Sequence, residues 1–122
     1  MTSEKRRIDI YLDDILLSMM RITEYIEGNS FVDFKKNYML VDAVVRNFEI
    51  IGEAAKHIPT SFRKHHSRIP WKKMVGLRNL ITHEYFGIDY EMLWTIATID
   101  LPENLKDLQQ IIDEMNSERE IR

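Results

Sequence analysis

Residues 38–57, YMLVDAVVRNFEIIGEAAKH, decide the fold class. Leu40, Val41, Val44, Val45, Phe48, Ile51 and Ala55 recur at three- and four-residue spacing, the signature of a helix with one buried side. Ile58 extends the stripe and Pro59 closes it. The spacing predicts a long helix over Tyr38–His57. Its polar residues are few. Arg46, Glu49 and Glu53 are spaced i, i+3 and i+7, so they share one face. They form either a polar shelf beside a cleft or an ordinary surface ion pair. Gly52 costs about 1 kcal/mol against alanine inside a helix, which points to close packing there.

Working outward, the same periodicity recurs on both sides. Ile8, Tyr11, Leu12, Ile15, Leu16, Met19, Ile22 and Ile26 predict a first helix over Glu4–Glu27, stopped by Gly28-Asn29-Ser30. Phe31–Lys36 fits one short helical turn. Thr60–Pro70, rich in His and Arg, reads as a loop or short helix. A further helix is expected from Trp71 to His83, with Met74, Leu77, Leu80 and Ile81 as its apolar stripe. Asp89 suits the N-cap of a last long helix, which Pro102 should kink or split. Residues from Asn116 onward are polar and expected to fray. The fold class is therefore all-α, a four-helix-type antiparallel bundle with short extra helices. One domain over 1–116 is expected, with a polar tail over 117–122.

The chain has 122 residues, 44% apolar, four Gly and three Pro, and no Cys. Disulfides and thiolate metal sites are excluded. No apolar run approaches the ~20 residues needed to cross a bilayer. The charged N-terminal stretch lacks a signal-peptide core, so a cytoplasmic location is expected. The net charge of −3 hides an asymmetry. Residues 54–83 contain no Asp or Glu, yet hold Lys56, Arg63, Lys64, Arg68, Lys72, Lys73, Arg78 and all four histidines. Such a block suits nucleic acid, an acidic partner protein or a solvated connector.

Within that block, Arg78-Asn79-Leu80-Ile81-Thr82-His83-Glu84-Tyr85 carries the chemistry. Arginine offers a permanent cation with a planar fork of donors, suited to phosphate. Histidine exchanges protons near neutrality. On an ideal helix Arg78 and His83 lie about 140° apart. A joint site needs a frayed helix end near Thr82, an arginine that reaches round, or a second copy across a dimer. The adjacent pair His65 and His66 diverge and make a poor metal site. Trp71 and Trp94 either stack bases or fill the core. No metal site and no cofactor are expected.

The blocks Arg46–Lys56, Ile69-Pro70-Trp71, Gly76–Tyr85, Ile88-Asp89 and Leu93-Trp94 together resemble the HepT-type HEPN proteins. The resemblance implies an all-helical bundle that dimerises with its Arg-x4-His-x-Tyr motif at the dimer cleft. It implies a metal-independent endoribonuclease, the toxin of a type VII-like toxin–antitoxin pair. The partner would be an MntA-like nucleotidyltransferase that transfers AMP to the motif tyrosine. Carried over, Arg78 and His83 are catalytic, Tyr85 is the modification site, and Asn79 is the polar residue after the arginine. Arg46, Glu49 and Glu53 would support the cleft. Lys56, Arg63, Lys64, Lys72 and Lys73 would bind RNA. The alternative is a catalytically weak binding module that is only the AMPylation substrate of its partner.

Overall fold

The computed structural model describes the backbone of residues 3–83 and 89–121, with side chains over 7–82 and 89–120. Its elements are α1 (Ser3–Ile26), α2 (Phe31–Lys36), α3 (Tyr38–Lys56), α4 (Thr60–His65), α5 (Trp71–His83), α6 (Tyr90–Thr95), a π-helical turn (Ile96–Asp100) and α7 (Leu101–Ile121). No strand occurs among the described residues. The all-α bundle expected from the periodicity is the architecture observed.

The core forms where the apolar stripes face one another. Leu12, Ile15, Met19 and Ile22 of α1 are buried, as are Val41, Val44, Phe48, Ile51 and Ala55 of α3. Helix α3 is central, packing on α1 to one side and α5 to the other, while α7 lies against α1. Helix α2 inserts the fully buried Phe34, whose ring meets Trp94 of α6 at 5.2 Å. Trp71 is also buried, with its indole Nε1 donating to the His66 carbonyl. Trp71 therefore belongs to the core, and the half-buried Trp94 packs against it.

Local signals set the boundaries. Ser30 and Asp33 form a reciprocal capping box at the start of α2. The two hydrogen bonds from Ser30, backbone first, hold the Asp33 carboxyl below its ordinary value. Asp89 caps α6 by accepting from the Met92 N–H at 3.2 Å. Pro102 does not break the last helix outright. The chain takes a π-helical turn just before it, and Pro102 then falls in the first turn of α7, where its missing N–H is tolerated.

Two expectations need correction. The polar C-terminal stretch continues α7 to Ile121, because Arg119 pairs with Asp9 of α1 and ties the last turns to the bundle. Leu80 does not share the buried stripe of α5; it is 38% exposed. Helix α5 packs chiefly on α3, so only a narrow seam is covered. That seam runs through Trp71, Met74, position 78 and Ile81.

His66, just after α4, packs its ring 4.5 Å from that of Phe62. Burial, then the neighbouring His65, holds its imidazole below the usual 6.5, with Glu114 opposing weakly. The unfolded chain therefore takes up this proton at higher pH than the folded one. Stability from neutral His66 is complete above pH 6.5 and is lost as the pH falls below it. The thermal midpoint is expected to drop between about pH 7.5 and about pH 5.5, less so in His66→Gln. An equal drop in wild type and variant would remove His66 as the cause.

Candidate active site

Arg78 occupies a seat that an apolar residue would ordinarily take. It lies on the α5 seam between Met74 and Ile81, both buried. Gly52 of α3 makes room for it. A Cβ at residue 52 would collide with the Arg78 Cβ and lie 2.7 Å from the Met74 carbonyl oxygen. The two helices thus approach backbone to backbone. The Arg78 stem crosses the contact, and its head emerges on the far side with the side chain 28% exposed.

There the guanidinium is held at both ends. Its Nη2 lies 3.2 Å from Glu53 Oε2, and its Nη1 donates to Asn79 Oδ1 at 3.1 Å. Glu53 is shared: its other oxygen, Oε1, lies 3.4 Å from His57 Nε2, one turn further along α3. The His57 ring stacks on Tyr11 of α1, with centroids 4.9 Å apart and an interplanar angle of 14°. Arg78, Glu53, His57 and Tyr11, with Arg46, Glu49 and Asp14, line a shallow cleft of about 380 Å³. The polar set Arg46, Glu49 and Glu53 and the motif arginine therefore meet in one place.

Helix α5 stays helical through His83, and the Thr82 hydroxyl donates to the Arg78 carbonyl at 2.9 Å. The helix does not fray at Thr82. The His83 side chain and Tyr85 lie outside what the structure describes.

The basic block is not gathered in this cleft. Lys56, Lys64 and Lys72 are exposed on the surface. Arg63 donates from Nε to the Ile58 carbonyl and from Nη2 to the carbonyls of Ala55 and Lys56, so it mainly closes the end of α3. Lys73 lines a different and larger cavity of about 820 Å³, which Arg78 does not enter. Size alone would favour that cavity, but the motif chemistry faces the smaller cleft. Three carboxylates, Asp14, Glu49 and Glu53, stand there beside two arginines.

In the sequence Tyr11 figures only in the first-helix stripe and His57 only in the basic block, and neither they nor Asp14 stand among the candidate site residues. A signal for His57 existed: it is i+4 from Glu53, hence on the same helical face. Tyr11 and Asp14 enter only through the packing of α1 on α3.

Chemically, the cleft offers a fixed cation with free donors left on its fork, a bridging carboxylate and an imidazole. An arginine seated this way can bind an oxyanion and stabilise charge building on it.

Residues 15–115 match the family described as "Ribonuclease HepT-like". A chain named "Putative RNase" from Caldanaerobacter subterraneus subsp. tengcongensis is 42% identical over 102 residues, covering 84% of this chain and 91% of that one. Another of that name from Methanocaldococcus jannaschii is 43% identical over 105 residues, 86% of this chain and 96% of its own. A "Probable ribonuclease HepT" from Thermococcus cleftensis is 40% identical, covering 80% of this chain and 89% of its own. No solved structure matches at a significant level. With the family match spanning most of its length, the chain belongs to the HepT-like ribonuclease family.

Proposed function

We propose that this protein is an endoribonuclease that cleaves RNA without a metal ion, by attack of a 2′-hydroxyl on the adjacent phosphodiester. The observation that carries this reading is Arg78, held on its α5 seat by Glu53 and Asn79 at the mouth of the cleft. Its fork grips the phosphate and neutralises charge on the pentacoordinate phosphorane. His83, one and a half turns further on, transfers protons. Arginine and histidine take the charge-stabilising and proton-transfer roles that a metal and its bound water would otherwise fill. The products are a 2′,3′-cyclic phosphate and a 5′-hydroxyl.

Two copies form the working unit. Ile10 and Leu17 of α1 are 54% and 47% exposed. Seven residues apart, they form a stripe beside Asp14 on the rim of the cleft. A second copy covers that stripe and sets two motifs near one another. In its biological setting the protein is the toxin of a type VII-like pair. An MntA-like nucleotidyltransferase silences it by attaching AMP to Tyr85, two residues past His83.

One observation favours the second reading, a weakly catalytic module that is chiefly a substrate of that partner. The cleft carries three carboxylates, a poor lining for a polyanion. Purified protein and His83→Ala, assayed on total RNA with EDTA present, discriminate the two. Cleavage that survives chelation and falls by about 10²-fold or more in His83→Ala supports the ribonuclease. No cleavage by the unmodified protein, together with AMP on Tyr85 after co-expression, supports the module.

A further inference from the structure

The lining of the Arg78 cleft divides by chemistry. Arg78 suits a phosphate, but Asp14, Glu49 and Glu53 beside it repel one. An RNA strand that meets this cleft with its backbone alone therefore gains little. Its bases are the uncharged half of the molecule, with flat faces and N–H donors on their edges. The cleft also holds a flat surface. The imidazole of His57 lies against the phenol of Tyr11, with ring centroids 4.9 Å apart and an angle of 14° between the planes. Tyr11 covers one face of the imidazole, yet the side chain is 48% exposed. The ring is tethered at its edge as well: Nε2 lies 3.4 Å from Glu53 Oε1. Its orientation is set before anything lands on it.

We propose that His57, stacked on Tyr11, is a nucleobase subsite: an unpaired base of the RNA lies on the face of the imidazole turned away from Tyr11, while Arg78 holds the adjoining phosphate. This rests on the ribonuclease reading and deepens it, by naming single-stranded RNA as the substrate. The placement of the two groups supports the pairing. A single carboxylate, Glu53, stands between them, with one oxygen on His57 and the other on Arg78. That separation suits one nucleotide, from base to phosphate. The carboxylates that repel further phosphates can accept hydrogen bonds from the N–H groups of a base edge. Stacking itself tolerates any base, because every base has a π-face. A base within a duplex has both faces occupied by its neighbours, so the subsite selects loops and single strands. Tyr11, Glu53, His57 and Arg78 all belong to one protomer. A pair of copies therefore carries two such subsites, whichever copy moves the protons.

The test measures affinity, so it does not depend on turnover. Full-length wild type, His57→Ala and His57→Phe are titrated by fluorescence anisotropy, with EDTA present, against a short 2′-O-methyl oligoadenylate. The blocked 2′-oxygen prevents attack on the phosphate. A second titration uses the same backbone with every base removed. The ratio of the two dissociation constants isolates what the bases contribute. Wild type is expected to prefer the base-bearing strand by about 10-fold or more. His57→Ala should lose about 10-fold of that preference, and His57→Phe should keep it within about threefold. A damaged fold or a lost phosphate contact would weaken both strands alike and leave the ratio where it was. The subsite is overturned if the ratio is near one in wild type, holds its wild-type value in His57→Ala, or falls as far in His57→Phe as in His57→Ala. Cleavage of the unmodified strand in EDTA, run alongside, judges the ribonuclease reading separately. If wild type fails to cleave, that reading falls, and a ratio that still depends on the His57 ring upholds the base site without it.

Discussion

Arg78→Ala is expected to lower RNA cleavage by about 10³-fold, mostly in kcat. The reasoning starts from the seat of the residue. Arg78 emerges across the α3–α5 contact with its guanidinium fixed by Glu53 and Asn79. Little rotamer freedom remains to be lost when a phosphate arrives, so the fork contributes most where charge builds, in the transition state. Truncation to alanine removes that charge and leaves Glu53 an uncompensated carboxylate in the cleft. Arg78→Lys should recover little of the loss. A lysine presents a point charge rather than a fork and cannot bridge Glu53 and a phosphate in the same geometry. The measurement is single-turnover cleavage with EDTA present. A variant that cleaves within about threefold of wild type would remove Arg78 from the chemistry.

The second large effect concerns the position that creates this seat. Gly52→Ala is expected to destabilise the fold by about 3 kcal/mol. In an open helix the same change gains about 1 kcal/mol from propensity. Here the new methyl meets the Arg78 Cβ and lies 2.7 Å from the Met74 carbonyl oxygen. Neither obstacle is the tip of a flexible side chain; both belong to the α5 backbone or its first carbon. The helices must separate, which opens the seam that buries Met74 and Ile81. Gly76 on the same helix is the control, because a Cβ there meets nothing within 4 Å. Gly76→Ala should be neutral or stabilising by up to about 1 kcal/mol. Chemical denaturation of the two variants checks the contrast. Equal midpoints for both would mean that the helices are not in backbone contact at residue 52.

Most of the architecture is legible in the sequence because helical periodicity is a local signal. The stripes of α1 and α3 name all of their buried apolar residues but Ala54, while the buried Ser18 and Asn47 escape the pattern, and Asp89 marks the start of α6. Gly52 signals close packing from its place inside a helix alone. Where the pattern misleads, the cause is tertiary. Leu80 has the right spacing for the α5 stripe but no helix lies over it, since α5 rests chiefly on α3. The last polar turns stay helical because of Arg119 and Asp9, a pair separated by nearly the whole chain. Pro102 announces an irregularity, but a π-helical turn is one of several ways to absorb it.

The site follows the same division. Arg46, Glu49 and Glu53 share one face as their spacing suggests, and the packing of α5 on α3 brings Arg78 into the same cleft. The basic block reads as one surface because its residues are consecutive in sequence. In space it is dispersed. Arg63 turns inward to backbone carbonyls and Lys73 lines another cavity. The stack of Tyr11 on His57 depends on how α1 crosses α3. No spacing rule within either helix contains that information.

Metal-free phosphodiester cleavage at the Arg78 cleft is tested most directly by the chemistry of the ends it leaves. Purified wild type and Arg78→Ala are incubated with a 5′-labelled RNA in EDTA, and the product termini are identified by mass. The expected result is fragments ending in 2′,3′-cyclic phosphate from the wild type and almost none from the variant. Cleavage only on addition of magnesium, fragments ending in 3′-hydroxyl, or equal cleavage by Arg78→Ala would contradict it.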